Sequence, residues 1–383
     1  MAIPLSPQET ALLANQIYLF RTADELEDAL KQNRGKLGVD GTFEITAKNR
    51  FTGTSGVSLF KKSSGFGCIV KGQGTRSNEV LIVTRGTVTT QDWCSNLNIG
   101  TQPGPSGTPV HIGFNQIFKS FKSDIDQFFR QNNPTHVHCV GHSLGGALAT
   151  LVADHIRTQK IADVSLYSFG CPRVGTLAFG HQFSRELGKN IYRAFHTADP
   201  VSMIPLFPFR HVSTIHLPAE LPWNDGRVSI DAHSMDSYIR TIGQQSWDSL
   251  IVPPQPINWG KRVGDWLESS SSYGMGMLSA RLLAMIAKAL AELVAKIALN
   301  FISCSITSGL TLLDQLASLL YQGAQAAKEI AEQLGFIMRA TLRFLGRVLS
   351  SAANLTLGFI RWVLGMLFDT VHSLAIRATA AFS

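Results

Sequence analysis

The stretch CVGHSLGGALATL, residues 139–151, places a serine among closely spaced glycines with apolar sequence on both sides. The residues before it, THVHCV, form a short β-prone run, and those after it, LGGALATLVADHIRTQ, have apolar residues at helical spacing without proline. The sequence therefore predicts a strand, a sharp turn at Ser143 and a helix. At such a turn, Gly141 and Gly145 let the strand and the helix approach each other without side-chain collision.

The pattern Gly-His-Ser-Leu-Gly at this turn is the G-x-S-x-G elbow, in which the Ser143 hydroxyl is exposed above the sheet as a candidate nucleophile. Leu144 would be the first helical residue, where a backbone N–H can stabilise a developing oxyanion. The alternative is a small-residue turn whose glycines serve packing only. The strand before the turn and the helix after it favour the catalytic interpretation.

A nucleophilic serine needs a base, usually a histidine that a buried carboxylate orients. Asp199 directly follows a β-prone run, at the sheet edge where ligands bind; the alternative is an aspartate in an ordinary Asp-Pro turn. The downstream histidines are His211, His216 and His233. His211 and His216 fall in a predicted strand, RHVSTIHL, and position favours His233, at the start of a helix, as the base.

A second candidate for oxyanion stabilisation follows an upstream strand. In VLIVTRGTVTTQDW, residues 80–93, the strand-like run leads into Arg85-Gly86-Thr87. Thr87 could donate both its backbone N–H and its hydroxyl group to an oxyanion. The alternative is a plain Gly-Thr turn.

Composition narrows the classes of function. The chain has 383 residues, 45% of them hydrophobic, which is ordinary for a globular protein with room for more than one domain. The net charge of +7 is not concentrated in one basic run, and no zinc-finger or arginine-rich pattern is present, so nucleic acid is not an expected partner. Five cysteines without regular spacing argue against a disulfide framework. We expect no metal and no cofactor.

The N-terminal sequence MAIPLSPQETALLANQIYLF lacks the basic region, apolar core and cleavage site of a secretory signal. Ser6-Pro7-Gln8-Glu9 instead predicts a helix that begins with a capping box and has proline at its first position. We therefore expect a protein that stays inside its cell or is exported by a route that needs no cleaved peptide.

Strand-like and helical patterns alternate along residues 1–252 and predict an α/β fold with a mostly parallel sheet covered on both faces. Predicted strands lie near residues 40–46, 66–71, 79–84, 135–140, 164–169 and 191–196, and predicted helices near 1–32, 114–131, 144–159 and 176–188. Residues 253–276 are predicted to be a linker. Residues 277–383 contain no proline and predict an all-α, apolar region.

Two stretches of this C-terminal region, 297–313 and 348–368, approach membrane-span length but fall short of a clean apolar run. Charged residues recur at helical intervals, so two triplets are predicted to form stripes, each on one helix face. The triplets are Lys288, Glu292 and Lys296, and Arg339, Arg343 and Arg347. Such amphipathic helices either pack on one another or lie on a membrane surface with a basic face toward lipid headgroups. Both interpretations stay open.

Several motifs, in order, resemble the class 3 lipase family, the fungal-type triacylglycerol lipases and their bacterial and plant relatives. They cover about residues 75–245. The matching segments are Arg85-Gly86-Thr87, Asp92-Trp93, His111-Ile112-Gly113-Phe114, Gly141-His142-Ser143-Leu144-Gly145-Gly146-Ala147, Phe169-Gly170-Cys171-Pro172-Arg173-Val174-Gly175, His196, Asp199-Pro200-Val201 with Pro205, and His233 ahead of Tyr238.

This resemblance implies an α/β-hydrolase fold with Ser143 as the nucleophile, Asp199 as the acid and His233 as the base. It also implies an oxyanion hole formed by Thr87 and Leu144, and a lid over residues 87–98. Two features depart from the family: Thr84 stands where an aromatic residue is common, and only 34 residues separate Asp199 from His233. The region from residue 253 onward has no matching counterpart.

The expected activity is hydrolysis of a carboxylic ester bond in a lipid, either a phospholipid or an acylglycerol. The apolar C-terminal helices add a membrane surface as an expected partner, and a bacterial lipase effector delivered by a specialised secretion machine would combine these features. The competing hypothesis is a membrane-inserting or pore-forming protein whose hydrolase part is secondary. The lipid headgroup, a delivery protein and an inhibitor are not predicted.

Overall fold

The computed structural model describes residues 2–20, 22–32, 38–39, 41–55, 62–86, 100–212, 218–223, 225–251, 277–300, 311–347 and 354–381. Its strands are β1 (Gly38–Val39), β2 (Phe43–Glu44), β3 (Arg50–Ser55), β4 (Lys62–Lys71), β5 (Glu79–Thr84), β6 (Thr101–Pro103), β7 (Pro109–His111), β8 (His136–His142), β9 (Asp163–Phe169), β10 (Gly175–Thr176), β11 (Ile191–His196), β12 (Phe209–Arg210) and β13 (Ala219–Leu221).

Its α-helices are α1 (Pro7–Gln16), α2 (Ala23–Gln32), α3 (Ile112–Gln131), α4 (Leu144–Thr158), α5 (Leu177–Leu187), α6 (Met235–Ile242), α7 (Trp247–Leu250), α8 (Ala280–Asn300), α9 (Leu312–Ala326), α10 (Lys328–Phe344) and α11 (Leu357–Ala381). Short 3-10 turns cover Ile17–Phe20, Val201–Met203 and Asp231–His233, among others.

The central sheet has seven strands in the order β13-β11-β9-β8-β5-β4-β3. The five strands from β13 to β5 pair in parallel, whereas β4 and β3 add an antiparallel edge. A second sheet, β12-β10-β7-β6, is antiparallel and small. The prediction of a mostly parallel α/β sheet is therefore confirmed.

The two faces of the central sheet carry different hydrophobic cores. Along β5, Val80 and Ile82 belong to one core and Leu81 and Val83 to the other, because successive side chains of a strand point to opposite faces. Helices α3, α4 and α5 cover the first face, and α1 and α6 cover the second. Both faces are thus buried, as the near-continuous apolar runs of the parallel strands require.

Three predicted elements differ in extent. The strand predicted at 40–46 is reduced to Phe43–Glu44, which pairs with β1 in a two-stranded antiparallel ribbon. The prediction that His211 lies in a strand is wrong, because β12 ends at Arg210. His216, predicted in the same strand, lies outside the described residues. The helix predicted over residues 1–32 is interrupted by a 3-10 turn at Ile17–Phe20.

The N-terminal segment is fixed to parts of the chain that come much later. The predicted capping box forms at α1: the Glu9 N–H donates to Ser6 Oγ at 3.2 Å, and the Ser6 N–H donates to the Glu9 carboxylate at 2.7 Å. The Leu5 N–H donates to the Tyr167 hydroxyl at 3.0 Å. The Trp247 indole N–H donates to the Leu5 carbonyl at 2.9 Å. These bonds fix α1 on the second face of the sheet.

The described residues of the C-terminal region form helices α8 to α11, as predicted. Helix α8 contacts α9 and α10, and α9 contacts α10 and α11. Their buried side chains, such as Leu283 and Leu364, belong to the same hydrophobic core as the first face of the sheet. A backbone hydrogen bond of 2.9 Å from the Val228 N–H to the Leu278 carbonyl also joins the two regions. The helices therefore pack on one another and on the α/β region. The predicted linker lies outside the described residues, so the division at 252 and 277 stays a prediction.

The two predicted charge stripes have different outcomes. On α8, Lys288 and Glu292 form an i,i+4 ion pair with 3.9 Å between charged atoms, and Lys296 reaches Glu329 of α10 at 2.6 Å. Arg347, however, lies beyond the end of α10, so the prediction of three arginines on one helix face is wrong. The chain leaves the helix before Arg347 because Gly346 adopts a left-handed conformation with φ of 70°.

Among the described residues, α11 is the helix long and apolar enough to cross a membrane, with a mean hydropathy of 1.3 over its most apolar window. One third (33%) of that window is buried inside the protein. The stretch 348–368 singled out in the sequence thus contributes only its second half to this helix, which continues to Ala381. Most of the stretch 297–313 lies outside the described residues.

Candidate active site

Ser143 lies at the junction of β8 and α4 with φ of 57° and ψ of −133°. A positive φ is strained for a residue with a side chain, and here it turns the hydroxyl out of the sheet. The flanking glycines leave room for this turn. A Cβ on Gly141 would lie 2.3 Å from the Gly145 carbonyl oxygen, and one on Gly145 would lie 2.3 Å from that of Thr84. The elbow therefore has the local geometry that its sequence predicts.

The structure brings the three predicted triad residues into one hydrogen-bonded line. Ser143 Oγ lies 2.9 Å from His233 Nε2, and His233 Nδ1 lies 2.9 Å from Asp199 Oδ2. With Nδ1–H donating to the carboxylate, Nε2 is left to accept the serine proton. All three side chains are buried, with exposed fractions of 4% for Ser143, 1% for His233 and 0% for Asp199.

Backbone turns fix the acid and the base. Asp199 follows β11, and its second carboxylate oxygen accepts the Val201 N–H at 2.8 Å. The Ser202 hydroxyl donates to the Asp199 carbonyl at 2.8 Å. His233 ends the 3-10 turn that precedes α6, where Ser234 caps the helix. Both triad partners of Ser143 thus stand on short turns at the carboxyl-end edge of the sheet, where open α/β sheets bind ligands.

Tyr238 of α6 is a further partner of the acid. Its hydroxyl donates to Asp199 Oδ2 at 2.7 Å and accepts the His196 N–H at 3.2 Å. Burial and the negative charge of Asp199 raise the pKa of Tyr238 well above its usual value, so the phenol stays a neutral donor. The family resemblance included Tyr238 only as a residue that follows His233 and did not predict this contact.

Gly170 makes room for this cluster. The glycine has φ of +54°, and a Cβ there would lie 2.6 Å from Asp199 Oδ2 and 3.0 Å from both His233 Nδ1 and the Tyr238 hydroxyl. Any side chain would therefore displace the carboxylate or the imidazole. Gly170 belongs to one of the segments that resemble the family. The steric reason for a glycine at this position is visible only in the folded structure.

His142 of the elbow connects the nucleophile to the N-terminal segment. Its Nδ1 lies 2.8 Å from the Tyr18 hydroxyl, and its Nε2 lies 2.8 Å from the His233 carbonyl oxygen. Burial lowers the pKa of His142 well below its usual value, so the ring is neutral. Nε2–H then donates to the His233 carbonyl, and Nδ1 accepts a hydrogen bond from the Tyr18 hydroxyl. No sequence motif marked Tyr18, which lies 124 residues before His142.

The competing histidine His211 does not take the place of His233. Its Nε2 donates to the Ser202 carbonyl oxygen at 2.7 Å, beside the acid rather than beside the nucleophile. Burial, and then the charges of Arg193 and Arg173, lower the pKa of His211 well below its usual value. His211 is thus a neutral ring that holds the turn after Asp199.

Within the described ranges, no group of three or more His, Cys, Asp or Glu residues is arranged to hold a metal ion. Cys68, Cys139 and Cys171 are free and buried, and burial raises the pKa of Cys68 and Cys171 to about 12. These thiols behave as small apolar core groups.

Residues 81–209 match the family model described as Lipase (class 3). These residues belong to the class 3 lipase family. They include the elbow, the Asp199 turn and most of the parallel sheet, whereas His233 follows them along the chain.

Curated relatives each match part of the chain. Secreted mono- and diacylglycerol lipase 1 of Fusarium solani is 32% identical over 177 residues, which are 44% of this chain and 50% of that protein. Phospholipase A1 EG1, chloroplastic/mitochondrial, of Oryza sativa subsp. indica is 28% identical over 208 residues, 43% of this chain and 47% of that protein. The chain thus spans about half the length of these curated relatives.

A solved structure of MDLA from Penicillium cyclopium, in a mutant form, is 22% identical and covers 59% of this chain and 82% of that chain, with a TM-score of 0.38. We assign the α/β fold of residues 81–209, the class 3 lipase segment, from their own strand order and from the geometry of the elbow at Ser143.

The predicted oxyanion residues of the class 3 lipase segment have separate outcomes. Leu144 begins α4, so its N–H has no acceptor within the helix. Thr87 and the predicted lid, 87–98, lie outside the described residues, and their roles stay predictions. The preceding Gly86 is close to the nucleophile, because a Cβ on it would lie 3.5 Å from Ser143 Cβ. Thr84, the departure from the family pattern, is buried and donates to the Gly145 carbonyl at 2.6 Å.

Proposed function

We propose that this protein is a serine esterase that hydrolyses carboxylic ester bonds of lipids through an acyl-enzyme. The observation that carries the proposal is the hydrogen-bonded line from Ser143 through His233 to Asp199 at a strained strand–helix elbow. Backbone strain of this kind is concentrated at functional sites, and here the strained serine contacts a base that is itself oriented by a carboxylate.

The geometry supports a two-step reaction. Ser143 Oγ attacks the ester carbonyl carbon while His233 Nε2 takes the hydroxyl proton, and Asp199 holds the imidazolium that results. The Leu144 N–H, at the positive end of α4, stabilises the negative oxygen of the tetrahedral intermediate, with Thr87 as the predicted second donor. His233 then gives its proton to the leaving alcohol oxygen. Water, deprotonated by the same imidazole, releases the fatty acid and restores Ser143.

The substrate class we propose is an acyl ester of glycerol, either an acylglycerol or a glycerophospholipid. The proposal is supported by the class 3 lipase segment and by relatives named as a mono- and diacylglycerol lipase and as a phospholipase A1. The test is mass spectrometry of products from an emulsion that contains both lipid classes. We expect free fatty acid with a matching lysolipid or partial glyceride from the wild type and none from Ser143→Ala. Fatty acid release that persists in the Ser143→Ala protein would sink the proposal.

We further propose that the protein acts at a membrane surface. The support is one patch that combines apolar side chains with one basic group, here called the Trp362 patch and formed by Met277, Arg347, Phe359 and Trp362. Trp362 is 49% exposed, its ring lies 6.1 Å from that of Phe359, and the Arg347 guanidinium lies 5.7 Å from its centroid. Met277 is 56% exposed and packs against Gly346, next to Arg347. Tryptophan and arginine together suit the headgroup level of an anionic bilayer.

Co-flotation with vesicles tests this partner. We expect binding to vesicles that contain anionic phospholipid, weaker binding at high salt, and loss of most binding in Trp362→Ser with Arg347→Glu. The matched control is Leu12→Ser, an exposed leucine on α1, which should bind like the wild type. Equal binding by all three proteins would remove the Trp362 patch as the membrane contact.

A competing function, membrane insertion without a need for catalysis, has one observation in its favour: α11 is long and apolar enough to span a bilayer. Leakage from dye-loaded vesicles separates the two hypotheses. If the esterase proposal is right, leakage depends on lipid hydrolysis and stops in Ser143→Ala. Leakage that survives this substitution favours insertion.

A further inference from the structure

The base His233 lies on a short stretch of backbone between two helical elements. It ends the 3-10 turn Asp231–His233, and Ser234 then caps α6. Within this stretch the His233 N–H donates to the Ile230 carbonyl at 3.0 Å. Among the described residues, however, no backbone N–H bonds to the carbonyl of Ala232 or to that of His233. Buried carbonyls at the end of a helical turn need donors from elsewhere in the chain.

Two buried histidines, His142 and His196, supply these donors and are here called the flanking histidines. His196 Nδ1 lies 2.7 Å from the Ala232 carbonyl oxygen, and His142 Nε2 lies 2.8 Å from the His233 carbonyl oxygen. A carbonyl oxygen can only accept a hydrogen bond. The proton is therefore on Nδ1 in His196 and on Nε2 in His142.

Each flanking histidine is held in one neutral tautomer. The second nitrogen of His142 accepts from the Tyr18 hydroxyl, and that of His196 accepts from Thr241 Oγ1 at 3.0 Å. The exposed fractions are only 2% and 0%, and burial lowers the pKa of both rings. The His142 ring centroid lies 4.5 Å from that of His233, which becomes cationic in the proposed reaction. A neutral ring can hold the base without opposing that charge.

The two hydrogen bonds hold the peptide groups on either side of the His233 Cα. The Ala232 carbonyl belongs to the peptide group before His233, and the His233 carbonyl belongs to the one after it. Since each peptide group is planar, the φ and ψ angles of His233 are the only rotations between them. Holding both groups therefore fixes the direction in which the imidazole leaves the backbone, toward Ser143 Oγ and Asp199 Oδ2.

Both flanking histidines belong to the central sheet. His142 is the last residue of β8 and His196 is the last residue of β11, with β9 between these strands. Because neighbouring strands lie about 4.8 Å apart, the two rings start from positions roughly 10 Å apart. The turn that carries the base is thus bonded at two points to the sheet whose strands lead into Ser143 and Asp199.

We propose that His142 and His196 are positioning residues of the base, whose N–H groups hold the backbone around His233 so that its Nε2 faces Ser143. This inference rests on the proposed esterase activity. The bonds of the flanking histidines go to the backbone of the base and not to Ser143 Oγ or to the Asp199 carboxylate, so they act on the rate through His233. A misplacement of about 1 Å can cost up to about a hundredfold in rate.

Amide side chains test the hydrogen bond separately from the imidazole ring. The amide nitrogen of Asn is as many bonds from Cβ as Nδ1 of His, and that of Gln is as many bonds away as Nε2. His142→Gln and His196→Asn therefore keep the donor, whereas His142→Asn and His196→Gln move it. With a soluble ester and the full-length protein, we expect the first pair to keep kcat within about fivefold of the wild type. The second pair should lower kcat at least about thirtyfold, with KM changed less than about threefold.

The matched control is His136, the first residue of the same strand, β8. It is buried as well, and its Nε2 bonds to Ser165 Oγ at 2.9 Å, far along the strand from the base. His136→Asn and His136→Gln should lower stability in urea but leave kcat within about twofold of the wild type. A loss of kcat in these controls as large as that of the variants that move the donor would overturn the positioning role.

A second measurement asks whether the loss passes through His233. In a His233→Ala background, His142→Asn and His196→Gln should not lower the residual hydrolysis further, because losses within one unit do not add. A further loss of about tenfold would overturn the proposal. If the variants that move the donor do not fold, Thr241→Val decides, because it removes only the hydroxyl that keeps the proton on His196 Nδ1. It should lower kcat at least about threefold, and an unchanged kcat would overturn the role of His196.

The failure of this inference differs from the failure of the proposed function. Hydrolysis that stops in Ser143→Ala, with equal kcat for the Asn and Gln variants at each flanking position, would overturn the positioning role and leave the esterase intact. Hydrolysis that is absent from the wild type, or that persists in Ser143→Ala, would overturn the esterase and with it this inference.

Discussion

At the scale of single residues, the site depends on neutral hydrogen-bonding groups packed around one carboxylate. Asp199 accepts hydrogen bonds from His233, from Tyr238 and from the Val201 N–H, so both of its carboxylate oxygens have donors. A buried charge is tolerated when it is satisfied in this way. The residues around the triad therefore fix the positions of its three side chains. We expect only a few of these surrounding residues to affect the reaction rate strongly.

The identity of the base gives the first prediction. His233→Ala should lower kcat/KM at least about a thousandfold, as should Ser143→Ala, because both remove the same proton-transfer unit. Since losses within one unit do not add, the double substitution should be no worse than either single one. His211→Ala should cost less than about tenfold, because the His211 ring bonds to the Ser202 carbonyl and not to Ser143 or Asp199. Kinetics on a soluble ester measure all four proteins; a His211 variant as inactive as the serine variant would contradict the assignment.

Gly170 gives a prediction with a close control. Gly170→Ala should lower kcat by more than about tenfold, because its Cβ would lie 2.6 Å from the Asp199 carboxylate. Gly188 has a similar φ, +57°, but a Cβ there meets nothing within 4 Å. Gly188→Ala should therefore cost only backbone strain of roughly 1–2 kcal/mol in the free energy of unfolding, with kcat unchanged. Equal kcat values for the two variants would refute the steric argument.

At the scale of secondary-structure elements, the N-terminal 3-10 turn Ile17–Phe20 supports the elbow. This turn packs on the second face of the sheet, opposite to the face that α4 covers. Tyr18 donates to His142, and His142 in turn donates to the backbone of His233. The 3-10 turn, the elbow and the turn before α6 are thus tied together by two side chains. A substitution that removes one of these hydrogen bonds should therefore lower the free energy of unfolding more than it lowers the activity.

Tyr18→Phe should lower the free energy of unfolding by roughly 1–3 kcal/mol, because it leaves Nδ1 of a buried imidazole without its donor. The activity of the folded protein should fall only slightly, since no reacting atom is touched. Denaturant unfolding measures the first quantity. Tyr321→Phe, on α9, is the control and should unfold like the wild type. A large loss of kcat with unchanged stability would mean that Tyr18 acts on the reaction itself.

Local patterns were enough to predict the elements that are local in origin. The elbow follows from glycine spacing, and α4 and the parallel strands follow from apolar periodicity. Strand β3 was not predicted, although its sequence RFTGTS alternates between buried and exposed positions, because it is short and largely polar. The contacts of Tyr18 and Gly170 could not be predicted, since each depends on residues that are distant in sequence and meet only in the folded chain.

At the scale of the whole molecule, the C-terminal helices and the α/β region share one hydrophobic core. A chain ending at Ile251 would expose the apolar residues that these helices cover, including Ile204 and Leu206. We expect that chain to aggregate, as size-exclusion chromatography beside the full-length protein would show. A soluble monomer with a cooperative melting transition would instead support 1–252 as an independent domain.

Buried histidines make the whole fold sensitive to acid. Burial lowers the pKa of His138 from 6.5 to about 4, although Glu79 accepts its hydrogen bond at 2.8 Å. An unfolded histidine binds a proton below pH 6.5, whereas folded His138 stays neutral until about pH 4. The free energy of unfolding should therefore fall as the pH drops from 6.5 towards 4, by up to about 3 kcal/mol from this residue.

His138→Gln should flatten this pH dependence, whereas the exposed His181→Gln should not. Urea unfolding between pH 4 and pH 7 measures the slopes. Parallel curves for all three proteins would show that His138 is not a source of the acid sensitivity.

The hydrogen bond between Leu5 and Trp247 also limits when the protein can complete its fold during synthesis. The two residues are 242 positions apart, and the first of them leaves the ribosome long before the second exists. At translation rates of about 5–20 residues per second, the N-terminal segment waits for roughly 10–50 s before its partner emerges. During that time the apolar face of α1 has no complete binding site, so we expect the nascent chain to be prone to aggregation until the α/β region has been fully translated.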